Sequence, residues 1–223
     1  MLHLVVSALI LFASSGSYLM PVLATIAPVL LFSNYRADAP ENEAETALKQ
    51  FRELAKLFQR EAAAEAEIAR WFAQIDAYGD AIRKAFGFAP QIQVIRFSSL
   101  TTLFVYTPNS IADWVVRRMG MAQPLTRPAS AYGLTQVRIR DLKNLTDAYV
   151  IYIRPFAQEA KVMNSILWCA TPFARKHHVA PAEPYWSHGG APSILTTAKR
   201  ITEALLTLAP SYAGRTEQEG TSK

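Results

Sequence analysis

The sequence holds one group of side chains of the type that bind metals, namely the adjacent pair His177 and His178 together with His188. Imidazole is the commonest metal ligand in proteins. Neighbouring residues on a strand point to opposite faces of a sheet, so only one of the pair can join His188. Glu183 is the only carboxylate in the same predicted loop. These residues therefore predict ordinary polar loop positions, with no metal centre and no cofactor.

The sequence lacks the short motifs that commonly carry catalysis. G-x-S-x-G, G-x-x-x-x-G-K-S/T, H-E-x-x-H and G-x-G-x-x-G do not occur. Gly189 and Gly190 precede a predicted helix, and a helix N-terminus can bind an anion, but a glycine pair alone is more often a turn. Since no nucleophile and base stand at a matching spacing, the sequence predicts a protein that is not an enzyme.

Four aromatic side chains lie at positions in the sequence that indicate a possible binding site. Tyr18, Tyr132, Tyr185 and Trp186 all fall in predicted loops at the ends of strands. The ligand crevice of an α/β fold lies at such ends, and aromatic rings supply amphipathic walls for a small-molecule cleft. Two interpretations stay open: these side chains line a binding cleft, or they pack beneath their own loops.

Composition indicates a globular protein around these residues. The chain has 223 residues, of which 51% are hydrophobic and 18% charged, enough for one large domain or two small ones. Its net charge of +5 is dispersed along the chain, which argues against a nucleic-acid partner. Cys169 is the only cysteine, so an internal disulfide is excluded.

Residues 1–33 contain no Lys, Arg, Asp or Glu, and three interpretations of them stay open. Short apolar runs at residues 9–12 and 29–32, with a helix-length segment 18–26 between them, favour two buried parallel strands of a β-α-β unit. An export signal would carry a basic n-region, which is not evident here. A membrane anchor would need about 20 apolar residues in one run.

The rest of the sequence predicts alternating helices and strands. Acidic residues open a helix at Glu41 to Glu45, and apolar residues three and four apart predict a long helix over residues 61–86. Further strands are predicted over residues 92–97, 103–106, 149–153 and 177–180. Further helices are predicted over residues 111–119, 137–145, 162–168 and 194–208, and Ser193 is the predicted N-cap of the last one. The tail over residues 210–223 is predicted to be disordered.

Several ordered segments carry a family resemblance. They are Ile26-Ala27-Pro28 before a strand, the helix 61–86, Thr107-Pro108-Asn109-Ser110 before a helix, Tyr132-Gly133, Asp147-Ala148 before a strand, and Trp186, Gly189-Gly190 and Ser193 before the closing helix. No single segment is diagnostic. Their order and spacing over residues 9–208 together resemble the substrate-binding proteins of iron–siderophore ABC importers, especially the ferric-hydroxamate type.

The resemblance implies an α/β fold of the two-lobed periplasmic-binding-protein type. Residues 1–60 would be the remnant of an N-terminal lobe holding one β-α-β unit, residues 61–88 the inter-lobe helix, residues 89–209 a complete C-terminal α/β sandwich, and residues 210–223 the tail. The family's full first lobe, and its arginine at the ferric-hydroxamate centre, have no counterpart in this sequence. The chain therefore resembles a member that lacks most of its N-terminal lobe.

The resemblance also implies a function. A periplasmic monomer would bind an iron(III)–siderophore complex and deliver it to the inner-membrane permease of an ABC importer. The ligand-binding residues would be Tyr18, Ser130, Tyr132, Trp186 and His188, and Glu159 would dock on the permease. A cobalamin or haem ligand remains an alternative, as does a membrane-anchored envelope protein with no transport role.

Overall fold

The computed structural model describes residues 10–13, 20–32, 42–187 and 189–210 of the chain. Near the N-terminus, two short strands flank a short helix: β1 (Ile10–Ala13), α1 (Met20–Leu23) and β2 (Val29–Phe32). The two strands pair in parallel, with Ile10 opposite Val29. The predicted β-α-β unit is therefore confirmed, whereas the tail predicted to be disordered over residues 210–223 lies, apart from Pro210, outside the described part.

The remaining elements alternate between helices and strands. In chain order they are α2 (Glu43–Leu57), α3 (Glu61–Phe86), β3 (Ile92–Phe97), β4 (Thr102–Tyr106), α4 (Ile111–Arg118), β5 (Leu134–Arg138), a 3-10 helix (Ile139–Leu142), β6 (Tyr149–Ile153), α5 (Glu159–Met163), α6 (Ile166–Cys169), α7 (Pro172–Arg175), β7 (Val179–Ala182) and α8 (Ala191–Leu206). The long helix α3 has the predicted bounds.

Five strands form one mixed sheet in the order β5-β4-β3-β6-β7. β3, β6 and β7 run in parallel, and β4 runs antiparallel to both β3 and β5. The interior strand β6 is buried along its whole length, as its apolar sequence predicts for a strand covered on both sides. The predicted mixed α/β class is confirmed.

Helices cover both faces of this sheet. On the first face, which carries Val94, Tyr106 and Ile151, the side chains pack with those of α2, α3, α4 and α8 in one hydrophobic cluster. On the second face, which carries Ile95 and Tyr152, they pack with Val162, Trp168 and Phe173 of α5, α6 and α7. The long helix α3 and its neighbour α2 thus share a core with the sheet.

A close approach of two backbones fixes α3 against α4. A Cβ atom on Gly79 would lie 3.1 Å from Met119 Cα and closer still to the Met119 carbonyl oxygen, so only glycine fits at this crossing. Arg83 donates from Nη1 to that same carbonyl oxygen at 2.7 Å, and Arg118 pairs with Asp76 at 2.9 Å. Over the described part of the chain, no helix combines the length and apolarity that crossing a membrane requires.

One strand was not predicted. The short helical piece predicted over residues 137–145 is confirmed only at residues 139–142, which form a 3-10 helix, because residues 134–138 form β5. β5 lies at the edge of the sheet, and Val137 is its only buried residue. An edge strand with one buried side chain leaves no apolar alternation in the sequence, which explains the error.

Three boundaries also differ from those predicted. The helix predicted over residues 162–168 is split into α5 and α6, because Ser165 caps α6 by accepting from the Trp168 N–H. β7 begins and ends two residues later than predicted and contains Pro181, which an edge strand tolerates. α8 begins at Ala191 after Gly190, so Ser193 lies inside the helix and is not its N-cap.

Candidate functional site

The loop that carries Ser130 and Tyr132 is built around a buried asparagine. Asn109, 6% exposed, donates from Nδ2 to the Ser130 carbonyl at 2.8 Å. Its Oδ1 accepts from the Thr107 hydroxyl at 2.7 Å and from the Ser130 N–H at 3.3 Å. Asn109 directly precedes Ser110, the N-cap of α4. One side chain therefore ties the Tyr132 loop to the end of β4 and the start of α4.

Gly133 closes the same loop in a conformation that favours glycine. Its φ is +62°, its N–H donates to the Ser130 carbonyl at 3.1 Å, and its carbonyl accepts from the Thr107 N–H at 2.9 Å. Glu43, the first residue of α2 and 3% exposed, packs directly against it. Oε2 of Glu43 also accepts from the Ile111 N–H at 3.4 Å. The first turn of α2 thus contacts both the loop and α4.

The structure gives Ser130 and Tyr132 different environments. Ser130 is half-buried and donates from its hydroxyl to the Leu134 carbonyl at 2.9 Å, so it holds the loop together. Tyr132 is 63% exposed, although it is a large aromatic side chain. Of these two predicted ligand-binding residues, Tyr132 is therefore the more exposed one.

The loop between β7 and α8 presents a second exposed aromatic side chain. Trp186 is 76% exposed, and its ring lies against Gly189, where an added Cβ would be 3.2 Å from Trp186 Cδ1. The preceding Tyr185 turns inward, so its hydroxyl oxygen is buried. Neighbouring residues of one loop therefore serve different purposes: Tyr185 anchors the loop and Trp186 stands on the surface.

Both loops meet at Tyr106, the last residue of β4. Tyr106 pairs with Leu134, two residues after Tyr132. The Tyr106 phenol, whose hydroxyl oxygen is buried, lies near Ser187 and Tyr185. Tyr106 therefore has a neighbour in each of the two loops that carry Tyr132 and Trp186. His188 and Tyr18 lie outside the described residues.

Near Tyr185, which the sequence analysis had singled out, lie three side chains that it had not: Arg96, Phe104 and Tyr106. Arg96 on β3 and Phe104 on β4 are paired across the strands, lie on the first face and are half-buried. We call the surface made by Arg96, Phe104, Tyr106 and Tyr185 the cleft floor. Its signal in the sequence is Arg96, the only charged residue in β3.

The cleft floor keeps its two phenols protonated. Burial raises the pKa of Tyr106 and of Tyr185, while the positive charge of Arg96 acts in the opposite direction on both. The Tyr185 hydroxyl has no hydrogen-bond partner within the described ranges. At neutral pH both buried phenols therefore keep their protons.

Glu159 belongs to a separate cluster at the start of α5. Arg154 donates to its carboxylate from Nη2 at 2.6 Å and from Nε at 2.9 Å, and the Tyr152 hydroxyl donates to Oε1 at 2.7 Å. These hydrogen bonds, with that from Arg154 the strongest, hold the pKa of Glu159 below its usual range. The side chain is 25% exposed, so this acid is both paired and accessible to a partner.

The histidine pair is not arranged as a metal site. His178 stacks on Tyr149, with ring centroids 4.1 Å apart, and burial lowers its pKa. His177 adopts a left-handed conformation with φ +56° just before β7. Among the described residues, no group of three or more His, Cys, Asp and Glu side chains is placed to hold a metal ion.

Comparison with solved structures identifies the family. The chain is similar to the siderophore-binding protein FhuD from Vibrio cholerae, whose structure has Fe3+–Desferal bound: the two share 36% identity over 91% of this chain and 76% of that chain, with a TM-score of 0.86. This chain belongs to the FhuD family of periplasmic siderophore-binding proteins. The Vibrio cholerae FhuD is a binding protein and not an enzyme.

More distant FhuD-like structures share the fold. FhuD2 from Staphylococcus aureus matches with 18% identity over 90% of this chain and 77% of its own, at a TM-score of 0.71. A Bacillus subtilis periplasmic binding protein, a component of a Fep/Fec-like ferrichrome ABC transporter, matches with 21% identity over 88% of this chain and 74% of its own, at a TM-score of 0.66. No protein-family model matches the sequence.

Proposed function

We propose that this protein binds an iron(III)–siderophore complex of the hydroxamate type and delivers it to the permease of an ABC importer. The observation that carries the proposal is the 36% identity with a FhuD that holds Fe3+–Desferal. The cleft supports it independently, because Tyr132 and Trp186 are large aromatic side chains that are 63% and 76% exposed. A ferric hydroxamate has an apolar shell around a compact polar centre, which flat aromatic walls can bury with little loss of side-chain entropy.

Tryptophan fluorescence tests this proposal directly. Titration with ferrioxamine B should quench the emission of the wild-type chain, because the iron chelate would lie beside Trp186. The Trp186→Phe variant should lose most of this response. Trp71→Phe is the matched control, since Trp71 is 5% exposed and packs in the core with Phe51.

The same titration separates the alternatives. Haemin and cobalamin are offered in parallel, and a clear preference for either one over ferrioxamine B would replace the hydroxamate assignment. Absence of quenching by any of these ligands, or quenching that disappears in Trp71→Phe instead of Trp186→Phe, would contradict the cleft assignment.

We also propose a periplasmic location and a permease partner, with Glu159 in the docking surface. Glu159 is 25% exposed at the start of α5 and already binds a guanidinium, that of Arg154. An arginine of a permease would offer the same bidentate partner. Glu159→Gln should reduce siderophore uptake in cells, and Glu183→Gln, which removes a neighbouring acid that is 62% exposed, is the control. Equal uptake by both variants and the wild type would remove Glu159 from the docking surface.

The division into lobes is a further part of the proposal. Residues 1–60 would belong to an N-terminal lobe, residues 61–88 to the inter-lobe helix and residues 89–209 to the C-terminal lobe, followed by the tail 210–223. The continuous helix α3 and the complete five-stranded sheet support this division. Because α2 and α3 share the hydrophobic cluster of the first face, we expect the C-terminal lobe to need both helices for stability.

A further inference from the structure

Three basic side chains converge on one depression of the protein surface. Arg127 precedes β5 in the chain, Arg140 and Lys143 follow it, and together with Asp141 they line an open depression of about 420 Å³. Among the described residues, neither Arg127 nor Lys143 pairs with a carboxylate. Asp141 accepts from the Arg138 N–H at 2.9 Å, and its Oδ1 lies 3.9 Å from Arg140 Nε. Three cations therefore share this depression with one acid.

The depression lies on the same side of the sheet as Glu159. Leu125, Ile139 and Leu142, which are close to the basic side chains in the sequence, pack into the hydrophobic cluster of the second face. α5, α6 and α7 cover the same face, and α6 packs against the 3-10 helix that contains Arg140. A permease lies in a membrane, so docking through Glu159 at the start of α5 would bring this side of the sheet toward a lipid surface.

Apolar side chains are exposed on the same side. Ile166, the first residue of α6, is 91% exposed, and the following Leu167 is 39% exposed. Proteins that bind at a membrane surface combine cations, which attract anionic head groups, with apolar side chains that enter the boundary between head groups and acyl chains. The basic depression and the neighbouring helix α6 supply both components.

We propose that this side of the protein binds an anionic phospholipid surface, with Arg127, Arg140 and Lys143 contacting the head groups and Ile166 inserting between them. The inference rests on the proposed periplasmic location and permease partner, and it adds the lipid around that permease as a second partner. An acidic protein segment would also attract the three cations. The exposed Ile166 and Leu167 favour a surface that has an apolar layer beneath its charges.

Vesicle flotation of the 223-residue chain tests the proposal. The wild type should bind vesicles of phosphatidylcholine that contain about 30% phosphatidylglycerol, and salt should release it because salt screens exposed charges. Vesicles of phosphatidylcholine alone should not bind it. The triple variant Arg127→Gln/Arg140→Gln/Lys143→Gln should bind roughly 100-fold more weakly, since each cation near an anionic membrane contributes roughly fivefold. Ile166→Ser should weaken binding roughly 3- to 10-fold through lost apolar burial.

A matched control removes the same charge from the opposite side of the sheet. Lys49→Gln/Arg60→Gln/Lys84→Gln replaces three exposed cations on or next to α2 and α3, the helices of the first face. This variant should bind the anionic vesicles as the wild type does. An equal loss in both triple variants would mean that net charge alone drives binding, and the assigned surface would be wrong.

The single cysteine gives a local measurement of the contact. Cys169 is exposed at the end of α6, three residues after Ile166, and residues three apart lie on the same face of a helix. A nitrobenzoxadiazole label on Cys169 should therefore shift its emission to shorter wavelength with the anionic vesicles. An unshifted emission while the chain is bound would exclude α6 from the contact.

The outcomes separate this inference from the proposed function. A wild type that does not prefer anionic vesicles, or a triple variant at Arg127, Arg140 and Lys143 that binds them equally well, would overturn the lipid surface. Ferrioxamine B titration without vesicles decides siderophore binding independently. Inorganic phosphate should release the chain no better than sodium chloride of equal ionic strength, and a stronger release would replace the bilayer by a free anion. If thermal melting shows that the triple variant is unfolded, Arg140→Gln and Lys143→Gln decide singly, and wild-type binding by both contradicts the proposal.

Discussion

Replacing Gly133 by alanine should destabilise the protein through two separable effects. The first is conformational: with φ at +62°, an L side chain is disfavoured by roughly 1–2 kcal/mol. The second is steric, because the added Cβ would lie 2.7 Å from Glu43 Cδ and closer to its Oε1. Glu43 is 3% exposed, so its carboxylate has little room to move, and overpacking of this kind destabilises by roughly 1–3 kcal/mol. The total is about 2–5 kcal/mol.

Gly87→Ala isolates the conformational effect. Gly87 has φ +79°, and a Cβ atom there would meet nothing within 4 Å, so only the cost of roughly 1–2 kcal/mol applies. Chemical denaturation of both variants measures the free energy of unfolding, and thermal melting should show a shift of roughly 2–4 °C for each kcal/mol. The difference between the two variants reports the contact between Gly133 and Glu43.

A double-mutant cycle with Glu43→Ala completes the test. If the carboxylate is what the new Cβ meets, Glu43→Ala with Gly133→Ala should be more stable than the sum of the single effects by roughly 1–3 kcal/mol. Additive effects, or a Gly133→Ala variant no less stable than Gly87→Ala, would refute the view that Glu43 confines the Tyr132 loop.

Two further predictions concern the ligand cleft and the α5 cluster. Tyr132→Ala should weaken ferrioxamine B binding roughly 5- to 150-fold, whereas Phe88→Ala, which removes another aromatic side chain that is 54% exposed, should not change it. Burial, followed by the hydrogen bond to Glu159, raises the pKa of Tyr152 to about 12. Its contribution to stability is therefore present below pH 10 and lost as the pH rises toward 12. Absorbance titration should show this late ionisation, and an unchanged midpoint in Glu159→Gln would contradict the assigned hydrogen bond.

Much of the fold was predictable because its strongest elements have local signatures. The apolar stripe of α3 repeats every three to four residues over 26 residues, so the predicted bounds are correct. The sequence of β6 is an uninterrupted run of apolar and aromatic residues because the strand is covered on both faces. β5 has no such signature, since only Val137 of its five residues is buried. Its strand conformation comes from pairing with β4, a contact that the local sequence does not encode.

The candidate site could be predicted from the sequence only at residues whose type is uncommon in the element that carries them, such as a large aromatic residue in a loop. Tyr132 and Trp186 stand out because large aromatic residues in loops are conspicuous, and the structure leaves both exposed. The sequence places Asn109 just before a helix and Glu43 in the first turn of another, but it does not reveal their roles, which come from the loop and the helix that they contact.

Arg96 lies between these cases, because a lone charge in an apolar strand is visible in the sequence. Its face, its aromatic surroundings and its lack of a partner in the described residues require the register of β3 with β4. The sequence alone therefore shows that β3 contains a charge, and only the paired strands show which face of the sheet carries it.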